Sequence, residues 1–132
     1  MEIDKLALFY IKDKQLLVAR PKNKEFFYVP GGKREQGEPD KEALIREIKE
    51  ELSVDIIPDT LKFVSQFKAQ AGGRPEGTIL KMTCYSGEFA GEIKPSAEIE
   101  EVAWFAYDND LERATPMCKK ILGWLKERDL IN

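Results

Sequence analysis

Three glutamates near the middle of the chain have the residue type and spacing that metal chemistry requires. Glu47, Glu50 and Glu51 lie in a segment with helical periodicity, and at about 100° per residue they occupy one sector of a helix. The adjacent sector is apolar and contains Leu44, Ile45, Ile48 and Leu52. We therefore expect the three carboxylates to converge at the edge of the buried stripe, not to spread around the exposed face.

Such a cluster is self-repelling, because like charges at helical spacing destabilise a helix and partial burial raises the cost. Arg46 can reach Glu50 four positions along and relieve part of the repulsion. A hard divalent cation would relieve it further, since Mg²⁺ and Mn²⁺ prefer oxygen ligands and bind substrate phosphates as well. The alternative interpretation is a charged, solvated helix face, which is the usual role of a glutamate-rich helix.

The amino-acid composition excludes several kinds of catalytic and binding site. The chain has no histidine, which excludes histidine-dependent nucleophiles and histidine-ligated zinc. Its two cysteines, Cys84 and Cys118, are far apart, and we expect reduced, buried thiols. With 21 basic and 24 acidic residues the net charge is -3, so there is no basic field for a stable nucleic-acid partner.

Length and hydropathy predict a single domain. The chain has 132 residues, 42% of them hydrophobic, which is enough apolar material for one core spanning residues 1–132. No apolar run approaches the roughly 20 residues that a membrane helix needs, and Met1–Lys5 lacks the pattern of a signal peptide. We expect a cytoplasmic protein that does not interact with a membrane.

Runs of β-branched and aromatic residues predict strands around one strong helix. The predicted strands are Leu6–Ile11, Gln15–Ala19, Glu25–Val29, Leu61–Ala69, Thr78–Tyr85 and Glu101–Phe105. Pro30-Gly31-Gly32 is expected to be a loop, and residues 71–77 a hairpin loop. The main helix is expected from Glu38-Pro39 to near Leu52, and a closing amphipathic helix from Thr115-Pro116. These elements predict an α/β domain with a mixed sheet between helices.

The glutamates belong to a longer motif. After Gly32 come five residues, Glu38, seven residues, and then Arg46-Glu47-Ile48-Lys49-Glu50-Glu51-Leu52-Ser53-Val54. This resembles the Nudix box, in which a glycine, a glutamate and the pattern Arg-Glu-U-x-Glu-Glu-x-Gly-U recur at the same spacing, U being aliphatic. The layout is also similar to the family, with strands before the box and a Glu-rich segment, residues 97–102, before a late strand. The resemblance covers most of the chain.

Every position of the box matches except Ser53, which stands where the family has glycine. Glycine is favoured at a helix C-terminus because it adopts a left-handed conformation at little cost. Serine in that conformation costs roughly 1 kcal/mol, or the helix ends differently.

The resemblance implies an α/β/α sandwich with a mixed sheet, and water attack on a phosphorus of a nucleoside diphosphate linked to another group. It also implies a Mg²⁺ or Mn²⁺ ion whose ligands are the carbonyl of Gly31 and the carboxylates of Glu47, Glu50 and Glu51. A carboxylate from a later loop completes many such sites. Glu98 is our choice for it and Glu101 the alternative, while Glu47 is the first choice for orienting or deprotonating the water.

Supporting roles are expected around the box. By resemblance, Arg46 would hold the geometry of the carboxylates and Glu38 would brace the loop and the helix. Arg20 and Lys33 are expected to supply extra positive charge to the phosphates of the substrate. A surface cation without a ligand is the alternative for each. Gly32, which precedes Lys33, is a further candidate for substrate binding.

Three aromatic residues before the box have two interpretations. Phe26 and Tyr28 are expected on one side of an extended segment and Phe27 on the other. Tyr28 is the candidate for stacking on a nucleotide base. Core packing is the expected role of at least one of the three.

The sequence leaves the nucleotide open. The stretch Val29–Lys33 resembles the subgroup that hydrolyses nucleoside triphosphates, oxidised guanine nucleotides included, so cleavage of a triphosphate to monophosphate and pyrophosphate is the expected reaction. Residues 113–116 lack the asparagine with which some members read guanine, so 8-oxo-dGTP is not singled out. The alternatives are a sugar nucleotide, a dinucleoside polyphosphate, capped RNA, or a non-catalytic nucleotide-binding module. A homodimer also remains open.

Overall fold

Three sheets and two main helices form the fold in the computed structural model, which describes residues 1–71 and 73–132. In chain order the elements are β1 (Glu2–Phe9), β2 (Ile11–Lys12), β3 (Gln15–Pro21), β4 (Gly31–Lys33), α1 (Asp40–Leu52), β5 (Asp55–Ile56), β6 (Lys62–Gln70), β7 (Ile79–Ser86), β8 (Phe89–Ala90), β9 (Ile99–Phe105), α2 (Tyr107–Asp110) and α3 (Pro116–Glu127), with 3-10 turns at Pro58–Thr60 and Leu111–Arg113.

The larger sheet is mixed, with the strand order β4-β1-β7-β6. Strands β1 and β7 run parallel, whereas β4 and β6 run antiparallel to their neighbours. A second sheet has the order β2-β3-β9, and β5 pairs with β8. The predicted α/β class with a mixed sheet is confirmed.

Alternation along β1 divides the core into two layers. Leu6 and Leu8 point to one face of the larger sheet and pack in a buried cluster with Leu44 and Ile48 of α1. The opposite face belongs to a second cluster, which includes Ala7, Phe9 and the α3 residues Met117, Cys118, Ile121, Leu122 and Leu125. Because successive strand residues point to opposite faces, the sheet is sandwiched between α1 and α3.

The predicted main helix is confirmed, with a small shift at its start. Pro39 is the N-cap, not the first helical residue, and α1 begins at Asp40. Asp40 and Glu42 lie in the first turn, where the positive end of the helix dipole favours acidic side chains. The helix ends at Leu52, as the pattern predicted.

The prediction of a loop at Pro30-Gly31-Gly32 was wrong, because Gly31–Lys33 form edge strand β4 against β1. At Gly31, with φ +150°, a Cβ would lie 1.9 Å from the carbonyl oxygen of Leu6. Glycine therefore lets this backbone approach β1 closely enough to pair. A prediction that treats glycine only as a residue that interrupts strands misses its role in allowing close pairing of strands.

The prediction of a strand at Glu25–Val29 was also wrong. This segment forms only isolated bridges, Tyr28 with Ala19 and Phe27 with Ala114. Its two bridging residues pair with different parts of the chain, so no continuous ladder of strand hydrogen bonds forms, although the segment is rich in β-favouring residues. Of the predicted hairpin loop at 71–77, Gly72 lies outside the described residues.

Two smaller expectations concern the cysteines and the membrane. Cys84 and Cys118 are both free and buried, as expected, and burial raises the pKa of the Cys118 thiol to about 12. Within the described residues, no helix combines the length and the apolar character needed to cross a membrane.

Candidate active site

Glu51 is a carboxylate buried at the C-terminal end of α1. The residue is only 3% exposed. Its Oε2 accepts a hydrogen bond from the Tyr28 hydroxyl at 2.6 Å, and its Oε1 accepts one from the Gly31 N–H at 3.1 Å. Burial raises the pKa of Glu51 to about 7 against the opposing effect of those hydrogen bonds, and the charges of Glu47 and Glu98 raise it further. Removing this group from water has a cost that a nearby cation would offset.

Glu47 lies one helical turn earlier, beside the glycine that opens the box. Its side chain is 16% exposed and accepts a hydrogen bond from Nη1 of Arg46 at 2.9 Å. Burial raises its pKa although Arg46 lowers it, and Glu50 and Glu98 add to the rise. A Cβ at Gly32 would lie 2.3 Å from the Glu47 carboxyl carbon. Gly32 therefore makes the space in which this carboxylate lies.

Arg46 ties the preceding loop to α1. Its guanidinium donates to both carboxylate oxygens of Glu38 at 2.9 Å and to the Lys33 carbonyl at 3.1 Å. Glu38 also accepts from the Glu35 N–H at 3.0 Å. The hydrogen bonds from Arg46 are the main reason that the pKa of Glu38 falls to about 2. Arg46 and Glu38 thus join the loop to the helix through paired hydrogen bonds.

Glu50 is the outermost of the three box glutamates. Its side chain is 55% exposed and lies 3.4 Å from Nη1 of Arg46. Within residues 1–71 and 73–132, no three acidic or cysteine side chains are close enough to form a complete ligand cage. The expected convergence is therefore partial, because Glu47 and Glu51 are drawn inward while Glu50 faces solvent.

The loop before β9 brings a further carboxylate near this pair. The charge of Glu98 raises the pKa of both Glu47 and Glu51. Glu101, the alternative, accepts a hydrogen bond from Nε of Arg20 at 2.9 Å. Arg20 also donates to the Lys24 carbonyl at 2.9 Å. Arg20 is therefore held by protein partners, and binding a phosphate would require it to leave at least one of them.

Ser53 links the helix C-terminus to that loop. It adopts the left-handed conformation typical of glycine, with φ 62° and ψ 27°. Its hydroxyl donates to the Lys94 carbonyl at 3.0 Å. The N–H groups of Lys94 and Ser96 donate to the carbonyls of Leu52 and Glu51 at 2.9 and 3.0 Å. These bonds cap α1 with residues 94–96, close in the chain to Glu98.

The aromatic residues before the box divide their roles. Phe27 is buried at 4% exposure, which confirms that at least one of the three packs in the core. Tyr28 was expected to stack on a base, but its hydroxyl is bound to Glu51, and burial followed by the charge of Glu51 raises its pKa. Phe26 is 44% exposed. The sequence offered no signal for the bond between Tyr28 and Glu51.

Lys5 is a residue that the sequence interpretation missed. It is half-buried in β1 and pairs across the strands with Lys33. Glu51 and Glu98 are among the charges that act on it. Its position directly before the apolar run Leu6–Phe9 in the same strand is the signal that would have found it.

The described cavities lie away from these residues. One of about 460 Å³ lies between β6 and α3, beside Phe67 and Trp124. Another of about 690 Å³ is lined by Phe9, Tyr10 and Leu130. Neither of these two cavities is lined by a residue of the box.

The donors of the site fit a hard divalent cation. The side chains of Glu47, Glu51 and Glu98 all offer oxygen, and burial, followed by the charges of neighbouring carboxylates, raises the pKa values of the first two. The N–H of Gly31 binds Glu51, so the backbone at Gly31 is part of the same group. All-oxygen sets of this kind suit Mg²⁺ or Mn²⁺ better than softer metals.

A profile of the NUDIX domain matches residues 6–125 of the chain. The chain belongs to the Nudix family. An ADP-ribose pyrophosphatase from Methanocaldococcus jannaschii is 31% identical over 101 residues, which is 74% of this chain and 58% of that protein. The chain spans little more than half the length of the curated relatives that it matches.

Solved structures of the Nudix family have the same fold. A MutT NUDIX hydrolase from Burkholderia pseudomallei gives a TM-score of 0.78 at 22% identity, covering 93% of this chain and 97% of that chain. The solution structure of the E. coli ORF135 protein gives 0.75 at 24% identity, covering 96% and 91%. At this level of identity the likeness shows the fold alone.

Proposed function

We propose that this Nudix protein is a Mg²⁺-dependent hydrolase that cleaves a nucleoside diphosphate linked to another group. The substrate we favour is a nucleoside triphosphate, with a monophosphate and pyrophosphate as products. The observation that most supports this is the buried Glu51 carboxylate, whose pKa is raised to about 7 by burial beside Glu47 and Glu98. A purely structural helix face would not bury an acid among other acids.

The proposed ligands are the carbonyl of Gly31 and the carboxylates of Glu47, Glu50, Glu51 and Glu98. When bound, the ion would neutralise phosphate charge and lower the pKa of a water molecule. Glu50 is exposed and lies close to Arg46, so it can turn towards the ion without leaving a buried position.

The protein's own residues orient and deprotonate the water. A water oxygen forms a bond to phosphorus, the bond from phosphorus to the bridging oxygen breaks, and the bridging oxygen leaves with pyrophosphate. Glu47 accepts the water proton as the general base. Arg46 holds Glu47 at 2.9 Å, and Lys33 offers an exposed ammonium to the phosphates.

A substrate panel with product identification tests this function. Nucleoside triphosphates, oxidised and unmodified, are compared with ADP-ribose, UDP-glucose, diadenosine polyphosphates and capped RNA, with and without Mg²⁺. We expect Mg²⁺-dependent release of pyrophosphate and a monophosphate from a triphosphate. Glu51→Gln should abolish the release, and Glu42→Gln, on the exposed face of α1, should keep it. No turnover of any compound would refute the proposal.

A sugar-linked diphosphate is the second candidate substrate. It is supported by the Methanocaldococcus jannaschii relative, whose name gives it ADP-ribose pyrophosphatase activity. Release of AMP and ribose 5-phosphate from ADP-ribose, with slower turnover of triphosphates, would favour this candidate over the first.

A further inference from the structure

Strand β1 contains a lysine to which the proposed reaction gives no role. Lys5 lies in the middle of β1 and is half-buried. Its direct partner in β4 is Lys33, and its partner in β7 is Met82. Residues that pair across neighbouring strands project from the same face. The two lysines therefore stand side by side at the edge of the larger sheet.

This pair of ammonium groups is electrostatically unfavourable, because like charges directly opposite each other destabilise a sheet. Burial lowers the pKa of Lys5 most strongly, Lys33 lowers it further, and Glu51 and Glu98 oppose the change. Among the described residues, Lys5 has no ion pair or side-chain hydrogen bond of its own. A half-buried ammonium with unused donors is costly unless a ligand supplies acceptors.

The surrounding charges indicate which ligand fits. A cation held by Glu51 and Glu98 would offset the negative charge that acts on Lys5. The lysine pair would then need negative charge from the substrate. Each phosphate inside a chain has about one negative charge, whereas a terminal phosphate has about two. A sugar or a base offers no comparable anion to two ammonium groups.

We propose that Lys5 is a substrate-binding residue and that, together with Lys33, it binds the terminal phosphate of a nucleoside triphosphate. This inference rests on the proposed function, because it assigns a substrate class to the same site. A triphosphate has a terminal phosphate to offer both lysines, and a sugar-linked diphosphate does not. Lys5 is thus a determinant of specificity between the two candidate substrates.

Equilibrium binding of inorganic tripolyphosphate, measured by calorimetry with Mg²⁺, tests the inference without turnover. Lys5→Met and Lys5→Gln remove the charge. Two neutral variants are used so that the test still works if one of them fails to fold. Lys5→Arg keeps the charge. Lys81→Met is the matched control, because Lys81 is also a half-buried lysine, in the neighbouring strand β7. It lies opposite Asp4 in the strand register, and its ammonium is 4.0 Å from Glu2, away from the site.

We expect the neutral variants to bind tripolyphosphate about 10- to 100-fold more weakly, as for a lost hydrogen bond to a charged group. Lys5→Arg should keep most of the affinity, and Lys81→Met all of it. Unchanged binding in the neutral variants would overturn the inference, and so would an absence of binding in the wild type.

Kinetics separates this inference from the proposed function. In Lys5→Met the KM for a triphosphate should rise at least about 10-fold, while the KM for ADP-ribose should stay the same. An equal rise for both substrates would overturn the assignment to a terminal phosphate. If the wild type hydrolyses no nucleotide, the proposed function fails, and tripolyphosphate binding still decides the role of Lys5.

Discussion

Glu51 is the residue on which the proposed chemistry of this site depends most. It is nearly excluded from water, yet the groups that touch it are neutral donors, the Tyr28 hydroxyl and the Gly31 N–H. Those bonds hold the carboxylate in place without neutralising it. The charge is left for a cation to balance, as the proposed role of Glu51 as a metal ligand requires.

Replacing Glu51 by glutamine is expected to separate activity from stability. The amide oxygen of glutamine can accept from Gly31, and its NH₂ group can donate to Tyr28, so the fold should persist. Turnover at saturating Mg²⁺ should fall about 100-fold or more, as expected when charge stabilisation of the transition state is lost. Steady-state kinetics and thermal melting check this, and near-normal turnover would show that Glu51 is not a ligand.

The raised pKa of Glu51 predicts how the stability of the metal-free protein depends on pH. Its value is about 7 in the folded protein, against 4.5 ordinarily, so the folded state binds more protons between these limits. The free energy of unfolding should therefore fall by on the order of 3 kcal/mol as pH rises from about 4.5 to 7, and then level off. Urea unfolding in a chelator at several pH values measures this slope.

Glu51→Gln is the control for that experiment, because it removes the titrating group. The variant should lose most of the slope in this window. Glu38, whose pKa is lowered to about 2, acts in a different window, since its contribution to stability is lost as pH falls below 4.5. Equal slopes for the wild type and the variant would assign the pH dependence to other groups.

Helix α1 is the element whose pattern revealed most of the site. Glu47 and Glu51 are four positions apart in α1, so local periodicity was enough to predict their shared face. The bond between Tyr28 and Glu51 joins residues 23 positions apart, and strand β4 forms where glycine suggested a loop. The bond and the strand both depend on how separate elements pack against each other. The periodicity of residues along one segment contains no information about that packing.

Arg46 is expected to matter more for stability than Lys49, its neighbour on the exposed side of the same helix. Arg46→Ala would leave the Glu38 carboxylate, only 15% exposed, without its main partner, and should destabilise by about 1–3 kcal/mol. Within the described part of the chain, Lys49 pairs only with exposed Asp55 at 3.0 Å, and Lys49→Ala should cost under about 1 kcal/mol. Similar melting shifts for the two variants would contradict the bracing role of Arg46.

At the scale of the whole molecule, the site lies where separate parts of the chain meet. Strand β4 of the larger sheet provides the glycines, α1 provides the glutamates, and the loop before β9 of the second sheet brings Glu98. The bonds of residues 94–96 to the end of α1, including that of Ser53 to Lys94, connect these parts. Length and composition predicted one domain, and the pattern of strands and helices predicted its α/β class, but this junction emerges only from the assembled sheets.

Metal binding tests the central claim most directly. Free Mn²⁺ is measured by electron paramagnetic resonance during titration of the wild type, Glu51→Gln and Glu42→Gln without nucleotide. We predict saturable binding to the wild type and to Glu42→Gln, and binding at least about 10-fold weaker to Glu51→Gln. Identical titrations of all three proteins, or no Mn²⁺ uptake by the wild type, would contradict the account.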